Sequence, residues 1–222
     1  MPRIARITVA HYPHHIVQRG NNKQVIFFDK NDRQLYLNLL KKYSAECKCI
    51  VSAYCLMLNH IHMLLTPLIN KAISKTMQKL SLRYTQCINN KYKRTGRLWE
   101  CRFHSSLIEK ESYLWAACRY IERNPVRARM IESPGQYKWS SAGARQTNKN
   151  YDFIQPIWHD EKERNDYMNC LNMPDDEDEL SVIRQSSMRG MPLGSENFVQ
   201  QITENAGVLI TKRPRGRPWK KN

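Results

Sequence analysis

Ala53-Tyr54-Cys55-Leu56-Met57-Leu58-Asn59-His60-Ile61-His62-Met63-Leu64-Leu65 decides how the rest of the chain is read. Two apolar, strand-like runs meet at Leu58-Asn59, where asparagine suits a turn. Side chains on a strand alternate between faces, so His60 and His62 share one face while Ile61 enters the opposite layer. The two imidazoles then stand about 7 Å apart along the strand and can share one ion. Taken alone, the pattern describes two polar positions on a solvent-facing strand just as well, because a metal site needs a third ligand.

His15–Arg19 reads as a first strand, stopped by the turn residues Gly20-Asn21-Asn22. Asn31 or Asp32 suits the N-cap of a helix carrying Leu35, Leu39, Leu40 and Tyr43 at helical spacing. Cys49–Met57 and His60–Thr66 are the second and third strands, the latter stopped by Pro67. From Lys71 to Tyr92, Ile73, Met77, Leu80, Tyr84 and Ile88 line one helical face, with basic residues opposite. Phe103–Ile108 supplies a fourth strand.

The order strand, helix, strand, strand, helix, strand predicts an α+β fold of ferredoxin-like (RRM-like) type, an antiparallel sheet with helices on one face. A further helix starts at Glu111 or Ser112 and carries Tyr113, Leu114, Ala117, Cys118, Tyr120 and Ile121. It meets Asn124-Pro125, where the proline turns the chain and opens a short helix over Val126–Ile131. Tyr137 and Trp139-Ser140-Ser141 read as a closing apolar contact near residue 145. Residues 146–194 follow as an acidic linker or accessory segment, with Asp175-Asp176-Glu177-Asp178-Glu179 as a solvated spacer. Residues 195–222 hold a short helix capped by Ser195 and a basic tail.

The net charge is +16 and the pI about 9.7, so the partner is a polyanion. The excess is uneven: residues 1–150 carry 26 Lys/Arg against 8 Asp/Glu, and residues 151–222 carry 10 against 12. The basic surface therefore belongs to the part that holds the histidine pair. No apolar run is long enough for a transmembrane helix, and Met1–Arg6 lacks the apolar core of a signal peptide. Nucleic acid in a cytoplasm is the expected setting, with no membrane partner. The seven cysteines include no Cys-X-X-Cys pair, which argues against a disulfide framework or zinc ribbon and for reduced, packed thiols.

Tyr120 and Asn124 lie four residues apart, one turn from each other on a helical face. An asparagine carbonyl is a hard ligand suited to Mg²⁺ or Mn²⁺. A tyrosine phenol can attack phosphorus and form a covalent intermediate, although a free pKa near 10 means it needs activation. A divalent ion held by His60, His62 and Asn124 would polarise a scissile phosphate. The simpler reading of Tyr120 by itself is a helix-core aromatic.

Four blocks together resemble a known family: His15-Ile16-Val17-Gln18-Arg19-Gly20-Asn21, Leu58-Asn59-His60-Ile61-His62-Met63-Leu64, Arg119-Tyr120-Ile121-Glu122-Arg123-Asn124-Pro125-Val126-Arg127-Ala128, and Trp139-Ser140-Ser141. In order and spacing they are similar to the single-tyrosine HUH transposases, and within them to the REP-associated tyrosine transposases of bacteria. The resemblance spans roughly residues 10–145 and makes residues 1–145 the catalytic domain. It implies a metal-dependent single-stranded DNA endonuclease and strand transferase. Tyr120 matches the nucleophile that forms a 5′-phosphotyrosine, and His60 and His62 match the HUH motif. Asn124 stands where related transposases often have glutamine as third ligand. The implied partner is single-stranded or hairpin DNA of repetitive extragenic elements, met in the bacterial cytoplasm at the nucleoid. The REP-associated branch implies a monomer, and other single-tyrosine transposases imply a dimer that shares sites.

Arg19 and Asn21 end the first strand where they can contact such DNA or simply form a structural turn, and Arg97, Arg102, Arg123 and Arg127 flank the site as phosphate contacts or solvated surface charges. Trp99 and Phe103 suit core packing more than base stacking. In the tail, Pro214-Arg215-Gly216-Arg217-Pro218 resembles an AT-hook, with Arg215 and Arg217 placed for an A·T-rich minor groove. Two rival functions remain at this stage. One is a domesticated hairpin-binding protein with little catalysis, and the other is an RNA-binding module on the same sheet.

Overall fold

A computed structural model describes residues 8–146 and 153–206 of the chain. Strands β1 (His14–Arg19), β2 (Cys49–Leu56), β3 (His60–Pro67) and β4 (His104–Leu107) pair antiparallel in the order β2-β3-β1-β4. Helix α1 (Lys30–Glu46) joins β1 to β2, and α2 (Ala72–Lys91) joins β3 to β4. This is the α+β, ferredoxin-like arrangement expected from the order of elements.

The period-two pattern of the strands sends Ile16, Ile61, Met63 and Leu65 toward α1 and α2, where they meet Val51, Tyr54 and Leu56 in one core. All five expected residues of α2, from Ile73 to Ile88, are buried there. Helix α1 departs from the expected reading. Its N-cap is Asp29, whose carboxylate accepts from the Asp32 N–H at 2.9 Å while Asp32 accepts from the Asp29 N–H in return. Its buried stripe is Tyr36, Leu37 and Leu40, with Leu35, Leu39 and Tyr43 at the margin. Tyr36 holds the centre because its ring meets Phe27 and Tyr84 edge-on, with centroids at 5.6 and 5.0 Å.

The other sheet face is covered by the further helix that carries Tyr120 and by the helices that follow it. Helix α3 (Lys110–Glu122), the single turn α4 (Asn124–Arg127) and α5 (Ser141–Gln146) follow β4. Then come α6 (Glu161–Asn172), α7 (Glu177–Arg189) and α8 (Glu196–Ala206). Ala53, Cys55 and Leu64 of the sheet pack with Ala117, Cys118 and Ile121 of α3 and with Tyr167, Leu171 and Ile183 of α6 and α7. Helix α4 is shorter than expected because the backbone turns left-handed at Arg129, with φ 55°.

The acidic stretch is thus not a solvated spacer. Its apolar residues are spaced for burial, and its charges have structural uses. Asp160 caps α6 by accepting from Glu163 N–H, and Asp176 caps α7 by accepting from Asp178 and Glu179 N–H. Glu161, Glu163, Glu177, Asp178 and Glu179 occupy first turns, where negative charge complements the helix dipole.

Both sheet edges are closed by backbone. Leu56 N–H donates to Trp139 O at 2.9 Å, and Tyr54 N–H donates to Ser141 Oγ at 3.0 Å, so the Trp-Ser-Ser block lies along β2. At the opposite edge, Leu193 N–H donates to Leu107 O at 2.7 Å, next to β4. Ser195 caps α8 as expected, accepting from Phe198 N–H. No described helix is long and apolar enough to cross a membrane, and all seven cysteines are free.

Candidate active site

Register alone assembles half of the site. Val17 pairs with His62 and Arg19 with His60, so His15, Val17 and Arg19 of β1 share a face with the two histidines. Helix α3 crosses that face. The ring of Tyr120 stands 5.9 Å from that of His62 and 5.5 Å from that of His15, edge-on to both. Nucleophile candidate and histidine pair therefore meet within one chain. They line a cleft of about 490 Å³ together with Arg19 and Asn124. Glu100, Cys101 and His104 from the approach to β4, and Arg184, Ser187 and Met188 from α7, complete its wall.

Asn124 is oriented by the end of α3. Its amide nitrogen donates to the carbonyls of Tyr120 and Ile121 at 3.0 and 3.1 Å, satisfying acceptors that a helix terminus leaves open. Two carbonyl partners require the nitrogen on that side, which turns Oδ1 the other way.

Each histidine of the pair has one nitrogen engaged behind it. His60 Nδ1 lies 2.7 Å from Asn59 Oδ1, and His62 Nδ1 lies 2.9 Å from His15 Nε2. Nε2 remains on each as the nitrogen for a ligand. Burial, then the Arg19 charge, pushes the His60 pKa down to about 4. Burial first, then the neighbouring cationic groups, holds His62 well below its ordinary value. Both are neutral near pH 7, the form that binds metal.

The donor set fits a divalent ion. Two neutral imidazoles are borderline donors and an amide oxygen is a hard one, a mixed set compatible with a divalent ion. Among the described residues no group of three His, Cys, Asp or Glu side chains forms a cage. A site here needs Asn124 as its third protein donor, and water or substrate oxygens for the rest. Such an uncharged set gains affinity when an anionic phosphate enters.

Tyr120 is also held from behind. The Arg127 guanidinium lies 4.5 Å from its ring centroid and donates to the Tyr120 carbonyl. Helix α3 is anchored by the fully buried Glu122, whose carboxylate accepts from Ser141 Oγ–H, from Arg145 Nε–H at 2.9 Å and from Tyr167 Oη–H at 2.7 Å.

The expected DNA contacts separate into groups. Arg19 is exposed and lines the cleft, and Asn21 and Arg102 are exposed nearby in sequence to it and to the loop before β4. Arg97 is exposed as well. Arg123 is placed elsewhere: it is buried, with Nε 2.9 Å from Asp175 Oδ1 and Nη1 donating to Leu171 O at 2.8 Å. Arg127 likewise faces inward, 3.4 Å from Asp175. The acidic segment folds back and pairs with both through Asp175, so neither is a free phosphate contact. Trp99 and Phe103 are buried in the core, the Trp99 indole N–H donating to Ser81 O. Arg215 and Arg217, with the AT-hook-like tail, lie outside the described residues.

His15, Arg184 and Ser187 are site residues that sequence reasoning did not assign. His15 carried a signal, its two-residue spacing from Val17 and Arg19 on a strand beside the histidine pair. Nothing in the sequence marked Arg184 or Ser187, which reach the site only because α7 packs over β1 and β4.

Residues 8–124 match the family model described as transposase, IS200-like. No curated protein sequence matches the chain. Among solved structures, a REP-associated tyrosine transposase bound to a REP hairpin is similar in fold, with TM-score 0.57 and 13% identity, over 72% of this chain and 93% of that one. A putative transposase from Deinococcus radiodurans R1 is similar at TM-score 0.38 and 13% identity, over 58% of this chain and 92% of that one.

Proposed function

This chain belongs to the IS200-like transposase family, and on that footing we propose that it is a single-stranded DNA endonuclease and strand transferase acting at hairpin-forming repeats of REP type. The observation that carries the reading is the approach of the Tyr120 ring to within 5.9 Å of the His62 ring, inside one cleft of one chain. A site complete in a single chain supports a monomeric enzyme. The neighbour in complex with a REP hairpin supports the choice of DNA.

Tyr120 gives up its phenolic proton to solvent as Oη attacks the scissile phosphorus, and the P–O3′ bond breaks. The departing oxygen takes up a proton and leaves as a 3′-OH, while the phosphate stays on the tyrosine as a 5′-phosphotyrosine. Rejoining reverses the step: a 3′-OH attacks the same phosphorus and the tyrosine oxygen is released. His60, His62 and Asn124 would hold Mg²⁺ or Mn²⁺, which when bound neutralises charge on the phosphate oxygens. Arg127 presents a fixed cation to the ring on which negative charge is borne. Arg19, at the mouth, is placed to hold the incoming backbone.

Of the two rivals, the RNA module loses its platform. A sheet that stacks bases must leave one face open, and here the face opposite α1 and α2 lies under α3 and α7. A hairpin-binding protein without catalysis is separated by experiment. A labelled REP-type hairpin oligonucleotide is incubated with the protein and Mn²⁺ and run on a denaturing gel. A covalent adduct that Tyr120→Phe abolishes is expected. Tight binding with no adduct under any divalent ion would sustain the non-catalytic rival, and an adduct persisting in Tyr120→Phe would refute the nucleophile.

A further inference from the structure

His15 is almost wholly buried on β1 and joins two elements far apart in sequence. Its Nε2 lies 2.9 Å from His62 Nδ1, with the two rings stacked at 5.1 Å. Its Nδ1 lies 2.8 Å from Ser187 Oγ on α7. A neutral imidazole has one N–H and one lone pair, so this row of contacts admits only consistent directions. If His62 is to offer the Nε2 lone pair to a ligand, its proton must sit on Nδ1. That N–H donates to His15 Nε2. His15 then carries its own proton on Nδ1 and donates it to the Ser187 hydroxyl oxygen.

We infer that His15 is a positioning residue for His62, and that Ser187 supports it by accepting from His15 Nδ1–H when the His62 Nε2 lone pair is free for a ligand. The inference rests on the reading of His62 as a metal ligand. Ser187 belongs to α7 (Glu177–Arg189), well beyond the family-matched residues 8–124, so the C-terminal helical segment takes part in preparing the ligand set. Outer hydrogen-bond partners of ligating histidines set ring orientation and tautomer, and losing one typically costs about 10–100-fold in metal affinity. Free neutral histidine favours the opposite tautomer, with the proton on Nε2, so without His15 the ligating nitrogen of His62 would be capped by hydrogen.

The test uses the full chain and Mn²⁺ alone, with free Mn²⁺ followed by electron paramagnetic resonance. His15→Phe keeps a ring and removes both nitrogens, and should weaken Mn²⁺ binding roughly 10–100-fold. His15→Gln restores an acceptor for His62 and should recover much of the loss, which a purely steric role would not allow. Ser187→Ala should shift affinity the same way by a smaller factor. Long-range ¹H–¹⁵N spectra of the metal-free protein should show the His62 proton on Nδ1 in the wild type and on Nε2 in His15→Phe. Circular dichroism reports whether His15→Phe is folded; if it is not, His15→Gln and Ser187→Ala carry the test.

A wild-type His62 protonated on Nε2, or unchanged Mn²⁺ affinity in His15→Gln, Ser187→Ala and His15→Phe alike, would overturn the inference. A His62→Ala arm separates the two levels. If His62→Ala binds Mn²⁺ as the wild type does, the metal reading fails and the inference with it. If His62→Ala loses Mn²⁺ while the His15 variants do not, only the positioning role fails.

Discussion

The guanidinium of Arg127 stands 4.5 Å from the ring centroid of Tyr120, and its far side meets Asp175 at 3.4 Å. One cation thus links the proposed nucleophile to the acidic segment 48 residues downstream. Burial lowers the Arg127 pKa and Asp175 opposes that shift, which keeps the side chain a cation at any physiological pH.

Arg127→Gln should therefore slow adduct formation more than it weakens DNA binding. A preorganised charge beside the reacting group contributes on the order of 100–1,000-fold. Single-turnover cleavage and hairpin affinity, measured side by side, check this. A variant whose affinity falls and whose single-turnover rate does not would reassign Arg127 to phosphate binding.

Asp175 serves three arginines at once, lying 2.9 Å from Arg123, 3.4 Å from Arg127 and 3.6 Å from Arg119. All four side chains are largely buried. Asp175→Asn leaves Arg123 and Arg127 without their counter-charge, while Arg119 keeps Glu179 at 3.3 Å, and should destabilise the fold by about 3 kcal/mol. Urea unfolding followed by tryptophan fluorescence measures the loss. Adduct formation should fall too, because Arg127 loses its support.

Stability should drop as the solution is acidified below neutrality. Burial pushes the His14 pKa down to about 4, against only a small opposing contact from the Val9 carbonyl, and His15 and His60 are pushed down to about 3 and about 4. The folded chain keeps these rings neutral while the unfolded chain, titrating near 6.5, takes up protons. The stability they permit is thus complete above about pH 6.5 and lost as pH falls toward 4, by up to about 1.4 kcal/mol per pH unit per histidine. His14→Gln, away from the cleft, should flatten the dependence of the melting temperature between pH 6.5 and pH 4.5. An unchanged slope would show that His14 is not among the groups responsible.

Asn124→Ala should raise the Mn²⁺ or Mg²⁺ concentration needed for half-maximal cleavage by about tenfold or more, as loss of an oxygen donor demands. Chelation should abolish cleavage in the wild type and added Mn²⁺ should restore it. Asn124→Asp tests the orientation: its second oxygen would face the Tyr120 and Ile121 carbonyls that the amide nitrogen now serves. That variant should lose thermal stability even where metal binding survives.

Much of the fold is legible because it is written locally. The two-residue alternation of Ile61 and His62 and the helical recurrence from Ile73 to Ile88 each bury one face whatever lies beyond, so the strands and α2 follow from spacing. The stripe of α1 shows the limit, since Leu35 and Leu39 satisfy the same spacing as Tyr36 and Leu40. Aromatic packing against Phe27 and Tyr84 chose between them.

The ferredoxin-like order of elements, the shared face of His60 and His62, and the one-turn separation of Tyr120 and Asn124 are legible in the order of residues. These depend on backbone periodicity, which a few neighbouring residues specify. That α3 lies across the histidine face, that Arg123 and Arg127 pair inward with Asp175, and that Ser187 reaches His15 emerge only on packing. Charge pairing and hydrogen-bond direction depend on which surfaces meet in space. The burial that pairs an arginine with one distant aspartate, or a histidine with one distant serine, is a property of the packed chain and not of either residue's neighbours.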